Sequence, residues 1–149
     1  MGEDSHFVEG CDFCRIASGE ERSVEVVCEG DEWVAFFPLH PATKGHTLVI
    51  PRRHLTDIWE LEPPLSSGLM TAVIRVGRAI QAAVRPEGMN LVTSKGSAAE
   101  QTVFHLHLHL LPRWMGDGFD NIWPTISDVD ESALAPVADR IRAECRADL

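Results

Sequence analysis

The segment that decides the fold is TVFHLHLHLLPRW, residues 102–114, in which three histidines stand at every second position with leucine between them. Side chains of a β-strand alternate between two faces, whereas on a helix this spacing would place the middle histidine opposite the other two. The pattern therefore predicts a strand with all three imidazoles on one face and the leucines in a core behind it. The histidines are His105, His107 and His109, and the leucines are Leu106, Leu108 and Leu110.

The bulk composition is that of one ordinary globular domain. The chain has 149 residues, of which 44% are hydrophobic and 24% charged. Its net charge of −10 argues against general binding to nucleic acid or to anionic membranes, because such binding uses a basic surface. No apolar run is long enough to span a membrane and the first residues are acidic, so we expect a cytoplasmic protein. In that compartment its four cysteines are expected to be thiols or metal ligands.

Hydrophobic patterning predicts an α+β fold with an antiparallel sheet, in a single domain over residues 1–149. Apolar residues at helical spacing predict a long helix between residues 65 and 86, and a last helix is predicted to start between residues 132 and 135. Strands are predicted within SVEVVCEGDEWVAFFPL (two strands, 23–39), GHTLVIP (45–51), MNLVTS (89–94) and TVFHLHLHLLP (102–112).

Three histidines on one face suit phosphorus chemistry near neutral pH. A neutral imidazole nitrogen can attack phosphorus, and neighbouring imidazoles can hold its tautomer, stabilise oxygen charge or protonate a leaving group. The alternative is an open catalytic zinc site with three histidine ligands. In an extended strand the outer two Cα atoms would be about 13 Å apart, an awkward span for one ion, so a nucleophile with helpers is the favoured interpretation.

The residues also carry a family resemblance. The stretches QTVFHLHLHLLPRW (101–114), GHTLVIPRRH (45–54) and CDFCRIASGE (11–20) resemble the histidine-triad superfamily of nucleotide hydrolases and transferases. The resemblance implies an α+β half-barrel with one long central helix and a C-terminal helix, with a core at about 11–113 and an extension over 114–149. It also implies a homodimer that attacks the α-phosphate of a nucleotide conjugate and forms a nucleotidyl-histidine.

Individual roles follow from the same resemblance. It implies that His107 is the nucleophile and that His109 and His46 complete the catalytic site. Gln101 and Thr102 match the polar pair that reaches the phosphate or the leaving group. Four positions match apolar residues that enclose the base, although ordinary core is the alternative for each: Phe13, Ile16, Phe36 and Leu39.

Two positions depart from the family pattern. Pro38 stands where an Asp or Asn commonly holds the ribose hydroxyls, and a proline side chain cannot accept a hydrogen bond. Ribose recognition is therefore expected to move to His40 or to weaken. Ser94 replaces the usual Asn or Gln of the phosphate loop and offers a shorter donor.

The Cys-x-x-Cys pair in CDFC is shared by zinc knuckles and thiol redox motifs, and no thioredoxin-like pattern follows it. Some bacterial members of the superfamily bind zinc through such a pair and two histidines. The corresponding residues here are Cys11, Cys14, His54 and His105. A closed Cys₂His₂ site is structural, which explains how His105 belongs to the triad without attacking substrate.

The sequence thus predicts an enzyme that hydrolyses nucleoside phosphoramidates or related conjugates of a purine nucleotide. A dinucleoside polyphosphate hydrolase or phosphorylase would use the same residues. A nucleotide-binding regulatory protein is the alternative from another class. Neither nucleic acid nor a membrane is an expected partner.

Overall fold

The computed structural model describes residues 7–119, 122–123 and 128–147. Internal contacts divide the chain into two compact units, Met1–Phe119 and Asp120–Leu149. Among the described residues, the first unit contains the sheet and two α-helices, and the second contains one α-helix. The single domain over residues 1–149 stays a prediction.

The described part of the first unit forms a five-stranded, wholly antiparallel sheet in the order β1-β2-β3-β5-β4. The α+β fold predicted from the sequence is therefore confirmed. The strands are β1 (Val26–Glu29), β2 (Trp33–Phe36), β3 (Thr47–Pro51), β4 (Gly88–Val92) and β5 (Leu108–Arg113). The helices are α1 (Asp12–Ser18), α2 (Leu65–Val84) and α3 (Leu134–Ala147), with short 3-10 turns at Ile58–Glu60, Ser97–Ala99 and Glu131–Ala133. In the described part of the chain, no helix is long and apolar enough to cross a membrane.

The core lies on both faces of the sheet, because successive residues of β3 point to opposite sides. Val49 joins a cluster with α2, whereas Leu48 and Ile50 join a second cluster with Ile16 of α1. In β5, Leu108 and Leu110 belong to the α2 cluster, and Leu106 just before the strand joins them. The predicted leucine core is therefore present, and β5 separates it from the α1 face.

The prediction of a strand at residues 102–112 is wrong for its first residues, because β5 begins only at Leu108. Pairing with β3 ends at Val49 opposite Leu108, and pairing with β4 ends at Val92 opposite His109. The backbone before Leu108 instead takes a separate hydrogen bond, from Leu106 N to Leu55 O at 2.6 Å. Of the three histidines only His109 is in the strand.

Helix α1 was not predicted from the sequence. It has only seven residues, its N-cap is Cys11, and the left-handed Gly19 ends it. The Cys11 thiolate or thiol accepts a hydrogen bond from the Cys14 backbone N–H, as a serine or aspartate cap would. The predicted long helix and last helix are confirmed as α2 and α3.

We predict that Leu106→Ala lowers the free energy of unfolding by about 2–5 kcal/mol, because this fully buried side chain fills the α2 cluster. The matched control is Leu39→Ala, at a leucine that is 72% exposed, and it should change stability by less than about 0.5 kcal/mol. Urea unfolding measures both values, and equal losses in the two variants would contradict this placement of Leu106.

Candidate active site

The His107 ring is held in one tautomer by a backbone group. Its Nδ1 lies 2.7 Å from the backbone oxygen of His105, and a carbonyl oxygen can only accept a hydrogen bond. Nδ1 therefore carries the hydrogen, and Nε2 of the neutral ring keeps its lone pair. Burial lowers the pKa of His107, which favours this uncharged form. The edge-to-face ring of Phe13, at 5.3 Å between centroids, packs against the imidazole.

His46 and His109 form a hydrogen-bonded pair of rings, and each carries its hydrogen on the nitrogen opposite to the one that is protonated in His107. The backbone N–H of Ala42 donates to Nδ1 of His46 at 3.0 Å, so the hydrogen of a neutral His46 lies on Nε2. That Nε2 is 2.9 Å from Nδ1 of His109 and donates to it. Burial lowers the pKa of each ring to about 4, so both are uncharged at neutral pH. His109 is thereby left with its own hydrogen on Nε2.

The His107 ring lies beside the pair formed by His46 and His109, because the ring centroids of His107 and His109 are 4.9 Å apart. One ring offers a lone pair that can attack an electrophile. The other offers an N–H that can donate to an oxygen on which charge develops. A nucleophilic nitrogen beside a fixed donor is suited to attack on a phosphoryl centre.

A third cluster joins the N-terminal segment to the triad. One ligand atom from each of Cys11, Cys14, His54 and His105 can be chosen so that all four lie within 4.8 Å of one another. Nδ1 of His105 is 3.5 Å from the Cys11 Sγ and 3.6 Å from the Cys14 Sγ, and Nδ1 of His54 is 3.3 Å from the Cys14 Sγ. Tetrahedral zinc with bonds of about 2.0–2.3 Å separates its ligands by roughly 3.3–3.8 Å. These residues therefore fit a tetrahedral metal.

The surroundings of the cluster support the same fit. Nε2 of His105 donates to Pro51 O at 2.9 Å, which leaves its Nδ1 facing the cysteines. Burial raises the pKa of the Cys14 thiol, whereas a cation among these groups would favour the thiolate. Backbone N–H groups of Val8 and Cys14 already point at the Cys14 and Cys11 sulfurs, respectively.

The loop that follows β4 is held by the buried carboxamide of Gln101. Its oxygen accepts from Gly96 N at 2.8 Å, and its nitrogen donates to Thr56 O at 2.8 Å and to Val103 O at 3.1 Å. The other two residues predicted on this loop are more accessible: Ser94 is half-buried and Thr102 is exposed.

The residues predicted to enclose the base fall into two groups. Ile16 and Phe36 are buried in the α1 cluster, and Phe36 packs edge-to-face on the half-buried Phe13 at 5.5 Å. Leu39 is exposed on the segment after β2, and so is His40, the residue predicted to take over ribose contact. Of these residues, Phe13 makes edge-to-face contacts with two triad rings, His105 and His107.

Two contributors to the site were missed by sequence reasoning. The Ala42 backbone sets the tautomer of His46, and the hydroxyl of Thr93 donates to the backbone oxygen of His107 at 2.9 Å. A backbone donor leaves no signal in the sequence. Thr93 was included in the predicted strand at residues 89–94, where threonine is an ordinary residue.

Comparison with known proteins identifies the family to which the chain is similar. The HIT domain family matches residues 20–115. The protein named Protein hit from Bacillus subtilis is 40% identical over 124 residues, which cover 83% of this chain and 85% of that one. A crystal structure of a Streptococcus mutans UA159 protein has a TM-score of 0.85 at 33% identity, covering 97% of this chain and 91% of that one. Adenylylsulfatase HINT3 of Arabidopsis thaliana is 32% identical over 111 residues, covering 74% of this chain and 56% of that protein.

This chain belongs to the HIT family, whose name refers to the histidine triad. The structure of a HIT family member from Bacillus subtilis also has this fold, with a TM-score of 0.81 at 36% identity over 91% of this chain and 96% of that one.

We predict that at pH 6 the His109 ring is uncharged with its hydrogen on Nε2, whereas the His107 ring carries its hydrogen on Nδ1. A free imidazole with a pKa of about 6.5 would be mostly protonated at that pH. Long-range proton–nitrogen NMR spectra of ¹⁵N-labelled protein measure both states, with His109→Gln and His107→Asn to assign the signals. A His109 signal with both nitrogens protonated at pH 6 would contradict the hydrogen-bond chain.

Proposed function

We propose that this HIT protein is a nucleotide hydrolase or nucleotidyl transferase that acts at the α-phosphate of purine nucleotide conjugates of the nucleoside phosphoramidate type. The observation that carries the proposal is the hydrogen bond from His107 Nδ1 to the His105 carbonyl, which leaves the Nε2 lone pair free beside His109. Family membership supports the class of reaction, and the adenylylsulfatase name of one relative is consistent with chemistry at an adenylyl phosphorus.

In the first step, Nε2 of His107 attacks the α-phosphorus and the bond to the leaving group breaks. The leaving group departs with the bonding electron pair, and an amine takes a proton from solvent. The His109 N–H donates to a phosphoryl oxygen as negative charge develops on it, and His46 keeps that N–H in place. Water then attacks the nucleotidyl-His107 intermediate, which releases a nucleoside monophosphate and restores the imidazole.

The substrate contacts are proposed from the residues around this centre. The phosphate side of the proposed site is lined by Ser94, Gln101 and Thr102. Gln101 acts there through the loop that its carboxamide holds. Phe13 forms an aromatic wall beside His107 and can contact a purine. Ile16, Phe36 and Leu39 complete the base side of the proposed site. His40 is the candidate for ribose contact, because Pro38 offers no side-chain acceptor.

We further propose that Cys11, Cys14, His54 and His105 hold a structural zinc ion. A four-ligand site has no open position, so bound zinc supplies stability and leaves the phosphorus chemistry to the histidines. The metal would join α1 to the segment before β5, which supplies the nucleophile. We also propose a cytoplasmic location, because thiol groups stay reduced in that compartment.

A homodimer completes the proposal. Strand β4 is an edge of the sheet and carries Leu91, which is 49% exposed. Met70 and Ile74 of α2 are also exposed, at 41% and 47%. Edge strands and exposed apolar side chains are common sites of association. Nucleic acid and membranes are not part of the proposed set of partners.

We predict that His107→Asn lowers kcat by about three orders of magnitude or more, because the covalent route needs a nucleophilic ring nitrogen. Phosphorus NMR of reactions with adenosine 5′-phosphoramidate and with diadenosine tetraphosphate measures turnover and identifies the preferred leaving group. Unchanged melting temperature and AMP affinity in the variant are the controls. Retained turnover in the folded variant would contradict the proposal. Binding of AMP with no turnover by the wild type would indicate a regulatory nucleotide-binding protein.

We predict about one zinc ion per chain in protein purified without added metal or a histidine tag. Cys14→Ser should release zinc and lower the melting temperature by roughly 10 °C or more, since metal binding is coupled to folding. The control is Cys145→Ser, at an exposed cysteine of α3, which should leave both unchanged. Elemental analysis and thermal melts measure these effects. Less than about half an equivalent of zinc, with a melting temperature insensitive to chelator, would refute the metal site.

We predict a mass of about twice 16.5 kDa by sedimentation equilibrium. Leu91→Glu should shift the protein toward monomer, because it places charge at the proposed interface. Leu39→Glu makes the same change at another exposed leucine and should not. A monomeric wild type at micromolar concentration would exclude the dimer.

A further inference from the structure

Thr93 follows the last residue of β4, and its side chain bonds the backbone of the proposed nucleophile. The β4–β5 ladder ends with Val92 opposite His109, so residues 93 and 107 lie beyond the last backbone pairs. At this point the Thr93 hydroxyl donates to the His107 backbone oxygen at 2.9 Å. The side chain thus continues the connection between the two segments where the ladder ends.

Hydrogen bonds hold both the peptide group between His105 and Leu106 and the peptide group that follows His107. The peptide group that precedes Leu106 is held through Leu106 N to Leu55 O at 2.6 Å, and its own oxygen receives the His107 Nδ1–H. The peptide group that follows His107 is held by Thr93. The direction of a side chain depends on the backbone dihedral angles at its own residue. The Thr93 bond therefore limits rotation of the His107 carbonyl and, with it, the placement of the ring.

We propose that Thr93 is a positioning residue for the nucleophile, which acts through the backbone of His107 and does not itself contact the reacting phosphorus. This inference rests on the proposed function. In-line attack requires the ring nitrogen to approach phosphorus along a narrow range of directions, so a small displacement of the ring slows the chemical step. Substrate affinity depends on other groups and is expected to change little.

The test compares Thr93→Val with Thr93→Ser. Valine keeps the shape of threonine and removes the donor, whereas serine keeps the donor. A matched control is Thr71→Val in α2, which removes an exposed hydroxyl that donates to Ser67 O, also at 2.9 Å. Steady-state and rapid-quench rates with adenosine 5′-phosphoramidate are measured at a temperature at which melting curves show every variant folded.

Thr93→Val is expected to lower kcat and the rate of the first covalent step by about 5- to 50-fold, with KM within about threefold of wild type. Thr93→Ser is expected to recover both rates to within about threefold. Thr71→Val is expected to have wild-type kinetics. A Thr93→Val kcat within about twofold of wild type, an equal loss in Thr93→Ser, or an equal loss in Thr71→Val would overturn the inference. Failure of Thr93→Val to fold would also overturn it, because the hydroxyl would then serve folding.

His107→Asn in the same assay separates this inference from the proposed function. If that variant is inactive while Thr93→Val is normal, only the positioning role of Thr93 fails. If His107→Asn retains turnover, the nucleophile assignment fails, and the role of Thr93 fails with it.

Discussion

The hydrogen bond from His107 Nδ1 to the backbone oxygen of His105 is the constraint on which the arrangement of the site depends. The bond folds the His107 ring back onto the carbonyl of the residue two positions before it. The same His105 directs its ring to the two cysteines and to Pro51 O. His105 therefore connects the cluster of cysteines and histidines to the His107 ring, through its own ring on one side and its carbonyl on the other. Leu106 between them anchors the segment in the core.

The site depends on burial as much as on hydrogen bonds. Removal from water lowers the pKa of His46 and of His109 to about 4, which keeps both rings neutral and allows each to donate and accept once. This arrangement makes the protein sensitive to acid. The folded-state pKa lies below the unfolded value of about 6.5, so the unfolded chain binds protons first and stability falls as pH decreases from about 6.5 toward 4. Above about pH 6.5 these two histidines no longer make stability depend on pH.

Local patterns were sufficient to predict the parts of the molecule that follow strand or helix periodicity. Periodicity predicted the alternating leucines before and within β5 and the long helix α2. The family resemblance predicted that four side chains lie close together: Cys11, Cys14, His54 and His105. The start of β5 was not predicted, because it depends on where two neighbouring strands stop pairing. Helix α1 escaped prediction because a cysteine caps it and seven residues show little periodicity. The contacts of Thr93 and of the Ala42 amide arise from the tertiary fold alone.

The central claim is that His107 becomes covalently bonded to the α-phosphorus, and the most direct test is to isolate that bond. Wild-type protein mixed with excess adenosine 5′-phosphoramidate would be quenched within one turnover in alkaline denaturant, which preserves a phosphorus–nitrogen bond, and then digested and mapped by mass spectrometry. We expect an adenylyl group on His107 alone. An adenylyl group on a different residue, or turnover with no modified peptide at any time point, would contradict it.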